Sequence, residues 1–270
     1  MEAVAHACWR FVSHGAGDGP WNMAVDEAIA RAVGQGRVPP TLRLYEWREA
    51  TVSLGYLQRA TDAVDLEACR RYGVPIVRRP TGGRAVLHAR ELTYSLALPA
   101  GGIWGELSVA ASFERIGRGL LAGLRRLGVA ATIGEGKVDR SGPRGRAACF
   151  QLRGAPAIVV AGRKLVGSAQ RRWGQSSLQH GSLLLEFDAG LHRAIFPAGP
   201  RAESDKEVVW LKALLPDGCS PGRIREAILA GCSEALEVVF ASDGLSPLEA
   251  QEAERLVAVQ YAAPAWTFRR

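Results

Sequence analysis

The chain is 270 residues long, 47% hydrophobic and 23% charged, enough for one domain with a substantial core. Its net charge of +7 is dispersed, with no run of five like charges; this disfavours nucleic-acid binding and leaves room for an acidic protein partner. No apolar run approaches the roughly 20 residues of a membrane span, no basic-then-apolar leader is present, and the five scattered cysteines form no CxxC pair, so a cytoplasmic, non-membrane protein without metal or disulfides is expected.

Residues 9–13 read as a first strand. Gly19-Pro20 opens a helix with proline at the first helical position; Trp21, Val25, Ile29 and Ala32 share a face, and Gly34 and Gly36 end it. Residues 42–47 and 51–56 read as the two strands of a hairpin. Residues 65–72 form a short helix closed by Gly73. Residues 106–127 are the clearest helix, with Val109, Phe113, Ile116, Leu120, Leu124 and Leu127 at three-or-four spacing and Gly128 at the stop. A strand is expected over 130–136, an Arg- and Gly-rich loop over 138–146, and two strands over 157–160 and 164–169 turning at Ala161-Gly162. Residues 178–187 read as a strand and 188–204 as loop. Ser220-Pro221 caps a helix with Ile224, Ile228 and Cys232 inward, and Ser246, Pro247 and Glu249 make a capping box for the last helix. Because the strands cluster in hairpins, the pattern predicts α+β with a largely antiparallel sheet.

One stretch organises the rest: Arg78-Arg79-Pro80-Thr81-Gly82-Gly83-Arg84-Ala85-Val86-Leu87-His88. It follows a short apolar segment and precedes the strand-like Glu91-Leu92-Thr93-Tyr94-Ser95. Adjacent glycines let backbone turn sharply and approach a ligand. Arg78, Arg79 and Arg84 supply fixed charge and forked donors, which suits an anionic or carbonyl-bearing ligand; an ordinary basic hairpin turn carries the same residue types.

Only four of the 34 basic residues are lysine (Lys137, Lys164, Lys206, Lys212), so a lysine inside a motif invites a reason. Lys164 follows the turn Ala161-Gly162-Arg163. Cys149 sits just after the basic loop, where cations favour a thiolate. A strand, a turn and a return can bring the two together, and an ammonium there would lower the thiol's pKa and support a developing oxyanion. The plain alternatives are a buried structural thiol and a solvated lysine at a hairpin end. Cys69 and Cys232 read as small apolar core residues. His88 and His180 are lone histidines and are not assigned as general bases. No Walker loop, dinucleotide fingerprint or G-x-S-x-G elbow is present.

Together these residues resemble a known family. The organising stretch, Glu91 to Ser95, Gly162-Arg163-Lys164-Leu165-Val166-Gly167-Ser168-Ala169-Gln170 and Leu178-Gln179-His180-Gly181-Ser182 are similar, in this order, to the biotin/lipoate protein ligase superfamily. Ala148-Cys149-Phe150 followed by Gly162-Arg163-Lys164 resembles its octanoyltransferase branch, typified by LipM. The resemblance implies a class II synthetase-like core over about residues 36–246 of a single domain. It implies a transferase that moves octanoyl from acyl carrier protein to a lipoyl-domain lysine, commonly that of the glycine-cleavage H protein, without a cofactor. Cys149 would carry the acyl thioester, and Lys164 would lower its pKa and hold the acyl carbonyl. Arg79, Gly82, Gly83, Arg84, Ala85, His88, Gly167, Ser168, Gln179, His180 and Gly181 would bind substrate, in a monomer with no nucleic-acid partner. Two departures stand out: Ala89 follows His88 where many relatives have Asp, and Gln151 stands where relatives often carry an acid. The competing readings are an ATP-dependent lipoate–protein ligase, which shares the glycine motif and lysine but needs no cysteine, and an octanoyl amidotransferase between lipoyl domains.

Overall fold

A computed structural model describes residues 7–134, 157–196, 207–215 and 217–270. Its strands are β1 (Ala7–Gly17), β2 (Thr41–Trp47), β3 (Thr51–Leu54), β4 (Ile76–Arg78), β5 (Val86–His88), β6 (Glu91–Pro99), β7 (Thr132–Gly134), β8 (Ala157–Val160), β9 (Arg163–Arg172), β10 (Ser176–Leu184) and β11 (Val238–Ser242). Eight of them form one sheet in the order β11-β1-β2-β6-β10-β9-β8-β7; the other three form a small sheet ordered β4-β3-β5. In the large sheet β11–β1 and β1–β2 are parallel and every later pair is antiparallel. The α+β, largely antiparallel expectation therefore holds.

Period-two alternation explains the layers. On β2, Leu42 and Leu44 join the core under helix α5 (Val109–Arg126) and the Pro221–Leu236 helix. On β6, Leu92, Tyr94, Leu96 and Leu98 do the same. The opposite face meets helix α1 (Gly19–Gly34) and the Pro247–Leu256 helix through Tyr45, Trp47, Ala97 and Leu178. That face also carries polar residues at alternate positions: Arg43 on β2, then Glu91, Thr93 and Ser95 on β6, all buried. A third core joins the small sheet to the short helices α2 (Ala60–Ala63), α3 (Leu66–Arg71) and α6 (Ala189–Ile195).

Side-chain caps open several helices. Asp18 caps α1 through the Trp21 amide, Asp65 caps α3 through Ala68, and Ser246 and Glu249 form the reciprocal capping box. Four expectations change. Residues 42–47 and 51–56 are not a hairpin, because β2 pairs with β1 and β6 whereas β3 crosses to the small sheet between β4 and β5. The glycine motif is likewise no two-strand hairpin, since β3 separates β4 from β5. Residues 188–204 are not all loop: Asp188 caps α6 through the Leu191 amide. The clear helix over 106–127 starts at Val109, capped by Ser108, behind the separate α4 (Gly102–Glu106). The expected loop over 138–146 lies outside the described residues.

Candidate active site

On the α1 side of the large sheet lies a small cavity of about 30 Å³. Its walls are Met23 of α1, Tyr45 and Trp47 of β2, Thr93 of β6, Gly167 to Ala169 of β9 and His180 to Ser182 of β10. The small sheet closes it with Ser53, Arg79, Val86 and His88. The two sheets therefore meet at this cavity, and the glycine motif is the part of the small sheet that reaches it.

The motif is held by Arg79, a buried residue whose donors are spent on backbone. Its Nη2 donates to the carbonyls of Gly82 at 2.7 Å and Arg84 at 2.6 Å, and its Nη1 to Ser53 O at 2.9 Å. The turn thus wraps a guanidinium instead of presenting it. Gly83 takes φ +89°, and a Cβ there would lie 2.9 Å from Arg79 Nη2, so the second glycine is needed for both backbone and space. Arg78 is also fully buried and donates to the carbonyls of Gly55, Gln58 and Thr267.

Two histidine relays converge on Arg79. His88 Nδ1–H donates to Glu91 Oε1 at 2.7 Å, and its Nε2 accepts from the Ser53 hydroxyl at 2.7 Å. Ser53 Oγ in turn accepts from Arg79 Nη1 at 3.1 Å. The His88 ring stacks on Trp47 with centroids 3.9 Å apart. His180 Nδ1–H donates to Asp26 Oδ2 at 3.3 Å, and its Nε2 accepts from the Thr81 hydroxyl at 2.6 Å. Thr81 Oγ1 accepts from Arg79 Nε at 3.2 Å. Both rings line the cavity and fix the turn, as residues satisfying local hydrogen bonds do.

Two buried carboxylates anchor these relays. Burial would raise the Asp26 carboxyl, but the Arg43 guanidinium at 2.7 Å, with His180 and Ser95, outweighs burial and holds it below its ordinary value. Glu91 is likewise held low: burial opposes ionisation, while His88, Ser182 and Thr93 favour it. Its Oε1 accepts from Thr93 at 2.7 Å and Ser182 at 2.6 Å as well as from His88. Burial lowers the His180 pKa, so the ring is neutral at pH 7. The cavity floor is therefore apolar in outline and fixed in hydrogen bonding.

Gly181 lets β10 approach β9: a Cβ there would lie 2.5 Å from Gly167 O and 2.7 Å from Tyr94 Cε1. Of the expected substrate-binding residues, Arg79, His88, Gly167, Ser168, His180 and Gly181 line the cavity. Gly82, Gly83, Arg84 and Ala85 form the turn behind it. Gln179 belongs to the other face of β10, where it donates to the Tyr94 hydroxyl at 2.9 Å and accepts from Gln170 at 3.2 Å. Strand alternation forces this, because its neighbour His180 takes the cavity face.

Lys164 is buried near the start of β9, 8% exposed. Three residues of extended strand, about 10 Å, separate it from Gly167. Its carbonyl accepts from the Val209 amide at 3.0 Å. The neighbouring Val208 packs with Leu184 and with Val86 of the glycine motif. Cys149 lies outside the described residues. Burial pushes the Cys69 thiol up to about 11 and Cys232 up to about 12, so these two are inert core residues, as their placement in the sequence suggests.

Sequence reasoning overlooked Asp26, Arg43, Tyr45, Trp47, Ser53 and Met23. A usable signal was present in one strand: Glu91, Thr93 and Ser95 alternate with Leu92, Tyr94 and Leu96. Polar residues on one face of a strand with both faces buried imply a polar partner across from them.

Comparison with known proteins gives the chain's family. The family model for the lipoyl protein ligase A/B catalytic domain matches residues 18–233. An octanoyltransferase LipM from Kyrpidia tusciae is 42% identical over 97% of this chain and 99% of its own length. An octanoyltransferase LipM from Symbiobacterium thermophilum is 41% identical over 97% and 98%. Among solved structures, a lipoate-protein ligase A bound with ATP superposes with TM-score 0.83 at 26% identity, covering 96% of this chain and 98% of its own. A Thermoplasma acidophilum protein described as a lipoate protein ligase, with bound lipoic acid, gives 0.81 at 25% identity, covering 97% and 99%. The chain belongs to the lipoyl protein ligase A/B catalytic-domain family.

Proposed function

We infer that this chain is an octanoyltransferase acting in protein lipoylation. The observation that carries the reading is the cavity walled by the family's glycine motif in a chain matched end to end by octanoyltransferases. An apolar lining whose polar groups are already paired suits contact with a hydrocarbon chain. Its guanidinium is committed to backbone carbonyls, so the acyl tail meets aromatic and aliphatic surface.

The proposed reaction has two steps. The Cys149 thiolate attacks the thioester carbonyl of octanoyl–acyl carrier protein. A new carbon–sulfur bond forms, the carrier thiolate departs and takes up a proton, and octanoyl remains on Cys149. The deprotonated lysine of a lipoyl domain, such as the glycine-cleavage H protein, then attacks that thioester. The amide forms, the bond to Cys149 breaks, and the thiolate returns. Lys164 acts as the cation beside Cys149, favouring its thiolate and the oxyanion of each tetrahedral intermediate. Exchange of a thioester for an amide runs downhill, so ATP is not required. A cytoplasmic monomer completes the reading.

Intact-mass measurement after mixing the protein with octanoyl–acyl carrier protein, without ATP or acceptor, tests this. One added octanoyl group is expected, removed by hydroxylamine and abolished by Cys149→Ala. Lys164→Ala should slow its formation by about 10²–10³-fold, the scale of losing one oxyanion contact. Acceptor modification only with free octanoate and ATP would overturn the transferase reading.

A further inference from the structure

Beside the glycine motif, on the outer surface, two arginines rest on aromatic rings and a third adjoins them in sequence. The Arg269 guanidinium carbon lies 4.0 Å from the ring centroids of both Tyr56 and Trp266. That of Arg171 lies 4.3 Å from Tyr56 and 5.1 Å from Trp173. Arg270 follows, exposed. The cluster is tied to the motif: Arg171 donates to Pro80 O at 2.8 Å, Tyr56 N to Thr81 O at 2.9 Å, and Arg269 to Tyr56 O at 2.7 Å. Arg171 is also two residues beyond Ala169, a wall of the cavity, or about 7 Å along the strand.

Among the described residues no aspartate or glutamate side chain pairs with this group. Arginines elsewhere on the surface, such as Arg118, Arg126 and Arg255, face a glutamate at 2.7 Å. Among the described residues, Arg171, Arg269 and Arg270 form no ion pair. The Nε of Arg269 is buried without an acceptor among the described residues. The crowding is felt underneath, where burial and the charges of Arg269, Arg270 and Arg79 lower the Arg78 pKa to about 10. Above, the Arg269 and then the Arg171 guanidinium draw the Tyr56 phenol below its ordinary value. Leu57 and Phe268, on the same two segments, are 64% and 48% exposed. Arginine and tyrosine rimmed by exposed apolar side chains is the composition of an interface centre.

Resting on the transferase reading, we propose that Arg171 and Arg269, gathered on Tyr56 and Trp266, and the adjoining Arg270 are the docking surface for the acidic protein that carries the acyl thioester. The charge beside the reacting group distinguishes the two protein substrates. The donor brings an acidic surface and, on its prosthetic arm, an obligatory phosphodiester beside the thioester it must present. The acceptor must bring a lysine ammonium to the same cavity, which an unpaired arginine cluster repels. The Arg171 and Arg269 guanidiniums are already held against rings, so little side-chain entropy is lost when they meet an anion.

Two measurements test this. In the Cys149→Ala background, adding Arg269→Glu and Arg270→Glu should weaken binding of octanoyl–acyl carrier protein at least about tenfold at low salt. Arg270→Glu alone, which breaks no hydrogen bond in the described fold, should weaken it about threefold. With Cys149 restored, Arg270→Glu should form acyl-enzyme from octanoyl-N-acetylcysteamine, a small uncharged donor, at the unsubstituted rate. Unchanged carrier binding in both variants would overturn the proposal, as would weakening confined to the lipoyl-domain acceptor. Failure of the unsubstituted enzyme to be acylated by either donor would instead remove the transferase reading on which the proposal rests.

Discussion

Replacing Asp26 by Asn should destabilise the protein sharply although shape is kept. Both Asp26 and Arg43 are fully buried, and Asp26 accepts from four donors. Oδ1 takes Arg43 Nη1 and Ser95 Oγ, each at 2.7 Å; Oδ2 takes Tyr45 Oη at 2.9 Å and His180 Nδ1 at 3.3 Å. An Asn amide must set its NH2 against one of these pairs. Opposite Arg43 it meets a donor that cannot be turned. Opposite His180 it forces the other tautomer, which removes the acceptor for Thr81 and disturbs the contact with Arg79. In either case the Arg43 charge loses its anion, which costs about 3–5 kcal/mol for a buried pair. Arg43 keeps its bonds to Asn22 and His14, so the lower end, about 3 kcal/mol, is expected. Urea unfolding read by circular dichroism gives the number, with an unchanged m-value showing that the unfolded state is not responsible. Ser95→Ala, which removes a donor and no charge, should cost about 1 kcal/mol. A loss below about 1 kcal/mol for Asp26→Asn would refute the buried-charge account.

Stability should fall with acid in two stages. His14 is lowered to about 4 by burial and Arg43, and His180 is lowered chiefly by burial. The unfolded chain therefore binds more protons than the fold below about pH 6.5, and stability decreases from there as these rings resist protonation. Asp26 and Glu91 are both depressed in the fold, so their contribution is complete above about pH 4 and is lost as pH falls through the folded values. Urea midpoints measured from pH 8 to pH 3 should show both stages; a flat profile between 6.5 and 4.5 would contradict the histidine assignment. Gly181→Ala should cost about 1–3 kcal/mol by overpacking, since its Cβ would meet Gly167 O, Ser168 Oγ and Tyr94. Because the same strands wall the cavity, it should also slow acyl-enzyme formation, and an unchanged rate would separate that wall from the reaction.

The elements with strong local signals were legible in the sequence. The apolar spacing of α5 and the caps Asp65, Ser220 and Ser246 depend on residues a few positions apart, and each helix forms where these fall. What failed was non-local. Nothing in residues 41–56 says that β2 and β3 part into different sheets, because the partners of β3 come from residues 76–78 and 86–88. The site divides the same way. The glycine motif announced itself as a turn near a ligand. Its mode of action did not follow, since the eye-catching arginines Arg78 and Arg79 face inward onto carbonyls.

That inversion explains how the chain divides labour among its arginines. A buried guanidinium must have its donors met, and the tight glycine turn supplies carbonyls at the needed spacing. Arg79 thereby converts a flexible Gly-Gly loop into a rigid wall, braced from below by the His88–Glu91 and His180–Asp26 relays. A wall with its polar groups already paired can face a hydrocarbon chain without leaving a donor unmet. The charge that a protein partner would feel must then lie elsewhere, on residues whose donors are not all consumed. Arg171 and Arg269 meet that condition one layer outward, on Tyr56 and Trp266. The same residue type thus rigidifies the cavity wall where it is wrapped in backbone and offers a surface for an anion where it rests on rings.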